Sequence, residues 1–241
     1  MATIVMDLDG TLLNTKNEII GGEQTLKLMK SLQKSSHHLS IITGRLDHDI
    51  IKINEKYHME INERISQNGA VIYQGESLSA SLLERAEALQ INQYLKKYPV
   101  RVELNTISKR YWLSPRDPDF PKEFYDSSSL VNDYEDIIRY QPVVLFLVVG
   151  ETKTLKMIQT NIKQNYDKVD AIMTSSSSLE IIPKGISKGE ALHKIYKSQD
   201  VYAIGDSESD LSMKDYASSF YLVNEQYTIE NALEDIMKEV A

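Results

Sequence analysis

Three short apolar runs in this chain each break off at a glycine flanked by side chains that do chemistry, and that repetition constrains the fold more than any other feature. Ile4-Val5-Met6 leads into Asp7-Leu8-Asp9-Gly10-Thr11, Ile41-Ile42 into Thr43-Gly44-Arg45, and Tyr202-Ala203-Ile204 into Gly205-Asp206-Ser207-Glu208-Ser209-Asp210. A short apolar run stopped by turn residues reads as a buried parallel strand in an α/β sheet. Ligand chemistry in open α/β sheets sits beyond the carboxyl ends of the strands, so these three breaks mark the expected site.

Asp7 and Asp9 are two residues apart and project to the same side of an extended chain. An Asp-Leu-Asp-Gly-Thr turn could simply cap its own backbone amides. The later segments argue for chemistry instead. An in-line displacement at phosphorus needs a nucleophile, neutralisation of the equatorial oxygens and a proton for the leaving oxygen. Asp7 suits the nucleophile, because a carboxylate can form an acyl phosphate and divide hydrolysis into two easier steps. Asp9 suits the acid for the leaving group and then the base for water. Two adjacent carboxylates repel, which calls for a hard cation, and Mg²⁺ favours one or two carboxylates together with phosphate oxygens.

Thr43 offers a hydroxyl and Gly44 an open backbone amide for phosphate oxygens, with an ordinary helix cap as the alternative. Arg45 could reach substrate, cap a turn or lie on the surface. Lys188 falls in the first turn of a helix announced by Ser187 and Glu190 at capping-box spacing, where a cation is disfavoured unless an anion is near. His37, His38, His48, His58 and His193 lack zinc-site spacing, and the chain has no cysteine. His37 and His38 read as part of a solvated loop.

Taken in order, these motifs resemble those of the haloacid dehalogenase superfamily, and Ile181-Ile182-Pro183-Lys184-Gly185-Ile186-Ser187-Lys188-Gly189 before the acidic segment is similar to the Cof-type sugar phosphatases of subfamily IIB. The resemblance implies a Rossmann-like three-layer α/β core with a parallel sheet and an inserted α+β cap of type C2B. It also implies that Asp7, Asp9, Thr43 and Lys188 are catalytic. Leu8, Thr43, Gly44, Arg45 and Lys188 would contact phosphate or substrate. The metal would be held by the Asp7 side chain, the Asp9 backbone carbonyl and the Asp206 side chain, with Asp210 orienting Lys188. The chain departs from the pattern at Ser209, where Asn is usual, and at Phe220-Tyr221-Leu222-Val223-Asn224, which replaces a small Gly-Asn-Ala run.

Leu26, Met29 and Leu32, then Leu46, Ile50 and Ile53, have helical spacing and face a core. The core is expected from 1–74 and 184–241, with Asn68-Gly69 near its hinge, and the cap from 75–183. Within the insertion the pattern reads as a helix from Ser81 to Tyr98, strands at Val100 to Asn105 and Arg110 to Ser114, and a polar middle. A strand from Val143 to Val149, a helix to Tyr166, and strands at Val169 to Thr174 and Leu179 to Ile182 follow. Arg116-Asp117-Pro118-Asp119-Phe120-Pro121 reads as turns, Asp133, Glu135 and Asp136 as an exposed acidic face, and Ser175 to Ser178 as a polar bend.

The 241 residues are 41% hydrophobic, enough for a full core, and the net charge of −8 disfavours nucleic acid and anionic membranes as partners. No run approaches the roughly 20 apolar residues of a membrane span, and the N-terminus lacks a basic signal-peptide start. The expectation is a cytoplasmic, Mg²⁺-dependent phosphatase of small phosphorylated metabolites, sugar phosphates foremost, as a monomer or small homo-oligomer. A phosphomutase of the phosphomannomutase type would need a more cationic cap than Lys97, Arg101, Lys109 and Arg110 supply among many acids. A phosphometabolite-binding regulatory module without catalysis is the non-enzymatic alternative.

Overall fold

The first strand, β1 (Ala2–Met6), is buried at every position, and alternation explains how. Ile4 and Met6 pack into one apolar cluster while Val5 packs into another on the opposite side of the sheet. The computed structural model describes residues 1–115, 128–197 and 199–240. After β1 come α1 (Glu23–Lys34), β2 (His38–Ile42), α2 (Asp47–Tyr57), β3 (Glu63–Ser66), β4 (Val71–Gln74) and β5 (Ser77–Ala80). The insertion contributes α3 (Arg85–Leu95), β6 (Arg101–Thr106), β7 (Arg110–Trp112), β8 (Ser128–Leu130), α4 (Glu135–Tyr140), β9 (Val143–Val149), α5 (Thr152–Asn165), β10 (Val169–Ser175) and β11 (Ser178–Pro183). The chain then forms α6 (Lys188–Ile195), β12 (Asp200–Gly205), a 3-10 helix over Glu208–Asp215, β13 (Ser219–Leu222) and α7 (Ile229–Glu239).

One compact unit holds 1–79 and 187–240 among the described residues. Its seven-stranded sheet has the order β13-β12-β1-β2-β3-β4-β5. The run from β13 to β3 is parallel and β4 is antiparallel to β3. The two clusters split by face. Helices α1, α2 and α7 supply Met29, Leu32, Ile50, Ile53, Leu233 and Ile236 to one side, and α6 and the 3-10 helix supply Ala191, Leu192 and Met213 to the other. This is the three-layer α/β arrangement. Because β1 runs on to β2 on one flank and meets the late strand β12 on the other, the order reverses between β1 and β12. The carboxyl ends of those two strands, where Met6 stands opposite Ile204, flank the crevice of a topological switch point.

The other unit holds 80–115 and 128–186 among the described residues. Its six-stranded sheet runs β10-β11-β9-β6-β7-β8, antiparallel except for β7 with β8. Its own core joins Ile91 and Leu95 of α3, Ile138 of α4, Phe146 and Val148 of β9, and Leu155 and Ile158 of α5. The units divide at 79/80 and 186/187, a few residues beyond the expected 74/75 and 183/184. At the first division the β5 strand pairs into the seven-stranded sheet; at the second, Lys184 N–H donates to the Lys168 carbonyl at 2.9 Å.

Several local expectations change. The helix expected from Ser81 to Tyr98 is α3 alone, because Leu83 N–H donates to the Val143 carbonyl in strand fashion and Tyr98 closes a turn onto Leu95. The polar middle contains β8 and α4, pinned by buried Tyr134, whose hydroxyl donates to the carbonyls of Val102 (2.6 Å) and Tyr111 (3.1 Å). His38 begins β2, and the His37 imidazole Nδ1 accepts from Ala2 N–H at 3.2 Å, so this pair is tied to the sheet. Ser175 to Ser178 form the β10–β11 turn, cross-linked by their own hydroxyls. Of the expected acidic face, Asp133 pairs with Lys96 and accepts from Glu135 N–H at the start of α4. The Arg116 to Pro121 segment lies outside the described residues. Among the described residues no helix is long and apolar enough to cross a membrane.

Candidate active site

Asp7 leaves β1 with its N–H donated to the Ile204 carbonyl of β12 at 3.0 Å, which stitches the two carboxyl ends together. Its side chain is buried, and Lys188 Nζ donates to Asp7 Oδ1 and to Asp210 Oδ1, each at 2.6 Å. Lys188 is the first residue of α6, where Ser187 Oγ accepts from Glu190 N–H at 3.1 Å. Half of the expected capping box forms; the Glu190 carboxylate instead accepts from the Tyr216 hydroxyl at 2.7 Å. An ammonium buried at a helix N-terminus is disfavoured both by desolvation and by the helix dipole, so two carboxylates must compensate it. Burial alone would lower the Lys188 pKa, and Asp7 and Asp210 more than reverse that. Gly189 lets α6 approach the 3-10 helix, since a Cβ there would stand 2.0 Å from the Ser212 carbonyl oxygen.

Asp210 is fully used. Its Oδ2 accepts from the N–H groups of Asp206 (3.2 Å) and Ser207 (2.9 Å) and from Ser207 Oγ (2.6 Å), while Oδ1 faces Lys188. Ser207 and Asp210 thereby form the capping box of the 3-10 helix. Ser209 stands one step further out: its hydroxyl meets that of Ser207 at 2.9 Å.

Asp206 is half-buried just beyond β12 and accepts from Thr11 Oγ at 2.8 Å. Gly10 has φ +82°, and a Cβ there would lie 2.3 Å from Asp206 Oδ2. Glycine is required twice over, for the backbone conformation and for the approach of the carboxylate. Carboxylate oxygens of Asp7, Asp206 and Asp210 lie within 4.8 Å of one another, a spacing able to hold a metal ion. With Asp210 committed, Asp7 and Asp206 are the available donors. Burial pushes the Asp7 carboxyl up to about 7 against the pull of Lys188, and burial also raises Asp206. Hard oxygen donors short of positive charge are the donor set that a hard divalent cation satisfies.

Asp9 stands apart from this cluster. Its carboxylate is gripped by Arg45, which donates from Nε to Oδ2 at 2.9 Å and from Nη2 to Oδ1. Arg45 also donates to Asp49 Oδ2 (2.9 Å) and Asn17 Oδ1 (2.7 Å). Burial alone would lower the Arg45 pKa; its bonds to Asp9 and Asp49 raise it instead. Arg45, expected as a phosphate or substrate contact, is thus occupied by side chains of this unit. Thr43 is buried beyond β2, where its hydroxyl oxygen accepts from Arg45 N–H at 3.2 Å and its carbonyl accepts from Asn68 N–H at 2.9 Å. Leu8 is packed in the apolar core, which leaves its backbone as the group able to meet a ligand.

Sequence reasoning did not single out Thr11, Ser207, Asn17 or Asp49. Arg45 and Asp49 are four residues apart, a pairing distance visible in the sequence; Asn17 gave no such signal.

The sequence matches the haloacid dehalogenase-like hydrolase family over residues 4–240, and the chain belongs to that family. It is similar to the 5-amino-6-(5-phospho-D-ribitylamino)uracil phosphatase of Bacillus subtilis, at 25% identity over 99% of this chain and 91% of that one. It is also similar to the B. subtilis phosphatase YwpJ, at 23% identity over 98% of this chain and 92% of that one. Among solved structures, a haloacid dehalogenase-like hydrolase from Bacteroides thetaiotaomicron superposes with a TM-score of 0.81 at 23% identity, covering 98% and 99% of the two chains. The subclass IIB sugar phosphatase BT4131 superposes at 0.76 with 16% identity, covering 98% and 99%. These structural likenesses show a haloacid dehalogenase-like α/β fold.

Proposed function

We propose that this hydrolase is a Mg²⁺-dependent phosphatase of small phosphorylated metabolites, sugar phosphates foremost, that works through an aspartyl-phosphate on Asp7. The carrying observation is the buried Asp7–Lys188–Asp210 array, with Asp206 beside it at the mouth of a switch-point crevice. Asp7 Oδ attacks phosphorus as the bond to the leaving oxygen breaks, and Asp9 delivers the proton that the leaving oxygen requires. In the second half Asp9 takes a proton from water, water oxygen bonds to phosphorus, and the Asp7 Oδ–P bond breaks to release inorganic phosphate. Lys188, the Thr43 hydroxyl and the backbone N–H groups of Leu8 and Gly44 are suited to the equatorial oxygens, where developing charge is stabilised by fixed donors. Asp7, Asp206 and the Asp9 carbonyl would hold Mg²⁺, which supplies charge neutralisation at the phosphoryl group.

Hydrolysis is favoured over a mutase by charge in the insertion. Arg101 and Arg110 both lean on Glu103, and Lys97 lies over the Tyr94 ring, so three of the four cations weighed for a second phosphate are already engaged within the insertion. The relatives named as phosphatases support the same choice.

The test is phosphate release from a panel of sugar phosphates, nucleotides, pyridoxal phosphate and flavin mononucleotide, with Mg²⁺ and with excess EDTA. Turnover on at least one sugar phosphate, lost in EDTA and restored by Mg²⁺, is expected. No release from any ester would sink the phosphatase reading, and release indifferent to EDTA would sink the metal reading alone.

A further inference from the structure

Asp49 is an acidic side chain with only 1% of its surface exposed, placed in the first turn of α2, and nothing in the chemistry above uses it. The N-terminus of a helix tolerates a buried carboxylate, because the dipole and the free N–H groups favour negative charge. Its Oδ2 accepts from Arg45 Nη1, and the Asn17 side chain accepts from Nη2. Nε and Nη2 of the guanidinium also donate to Asp9, whose side chain is 55% exposed. A guanidinium has a rigid planar fork, so fixing one edge fixes the direction of the other.

We propose that Asp49 is a positioning residue that acts on Asp9 through Arg45, aiming the proton-transfer carboxyl from within the core. This rests on the reading of Asp9 as acid and base. The ionised carboxylate takes both Arg45 bonds and is held ready to accept a proton from water. A protonated carboxyl keeps one acceptor oxygen for Arg45 and stays aimed while its O–H is delivered to the leaving group. An exposed carboxyl without that grip rotates freely, and the lost orientation is felt in the proton-transfer step.

The test is a double-mutant cycle of Asp49→Asn and Asp9→Asn, read as kcat and KM for an alkyl ester, glycerol phosphate, and for p-nitrophenyl phosphate, whose leaving group scarcely needs a proton. Asp49→Asn keeps the size and one acceptor oxygen. It should lower kcat on glycerol phosphate about 10-fold, the scale of removing a support behind a functional group, with KM little changed. The loss on p-nitrophenyl phosphate should be several-fold smaller. In the Asp9→Asn background the further loss on glycerol phosphate should nearly vanish, because residues that act as one unit are not additive. Arg45→Lys, which retains charge but not the fork, should give the same pattern and serves if Asp49→Asn fails to fold. Equal losses on both esters, a full additional loss on top of Asp9→Asn, or wild-type rates would overturn the proposal. If Asp9→Asn alone left glycerol phosphate turnover intact, the acid role itself would fall and Asp49 with it; an impaired Asp9→Asn with additive Asp49 overturns the positioning role alone.

Discussion

Single atoms decide most of the chemistry here, and Asp7 is the sharpest case. Asp7→Asn keeps the shape of the side chain and removes both the nucleophile and a charge facing Lys188. Turnover should fall to background, with the fold retained by circular dichroism, and near-wild-type turnover would refute the covalent route. Asp9→Asn leaves the attacking carboxylate and should cost roughly 100-fold or more on alkyl esters, less on p-nitrophenyl phosphate. An equal loss on both would count against the acid role. Gly10→Ala forces a left-handed φ on a residue with a Cβ and pushes that carbon against Asp206. The strained backbone should cost about 1 kcal/mol in unfolding free energy, and activity should fall out of proportion because the displaced carboxylate is a proposed metal donor. Ser209→Asn should alter Mg²⁺ dependence little, since the Ser209 hydroxyl meets that of Ser207, which in turn bonds Asp210. A large change in the Mg²⁺ titration would mean that the longer amide reaches the metal donors directly.

At the scale of elements, the site is made by where helices begin. α6 starts on Lys188 because Ser187 caps it, and the 3-10 helix starts beyond Ser207 because Asp210 caps it, so the capping groups and the site are one structure. Ser187→Ala should destabilise the fold by about 1 kcal/mol through the lost cap, read as a lower denaturation midpoint. It should also reduce kcat, because a frayed first turn no longer presents Lys188 to Asp7. A variant that lost stability yet kept full kcat would show that Asp7 and Asp210 hold Lys188 without the cap. The N-cap was legible in the sequence as Ser187 and Glu190 at the right spacing. The diversion of Glu190 to Tyr216 was not, since it depends on the packing of α6 against the 3-10 helix.

For the whole molecule, each unit has a core of its own, with Phe146 among the largest fully buried side chains of the inserted one. Phe146→Ala should remove about 3–5 kcal/mol from that unit. Hydrogen exchange should accelerate in β6, β9 and β11 while amides of β1, β2 and β12 remain protected. Uniform loss of protection would mean that the two cores unfold as one cooperative body.

The sequence by itself determined the parallel strands and the order of the motifs, and it singled out Asp7, Lys188, Asp206 and Asp210 as candidates, because each stands in a local pattern: an apolar run, a break, a cap. It also marked an insertion with its own strands and helices. Tertiary structure alone decided which groups meet. The neighbouring carboxyl ends of β1 and β12, joined by pairing between residues about 200 positions apart, bring Thr11 to Asp206 and Lys188 to Asp7. Likewise the turn holding Asn17 and the first turn of α2 converge on Arg45 and direct it to Asp9. No local periodicity encodes such a meeting, since it follows from strand order and from the burial of opposite faces of one sheet.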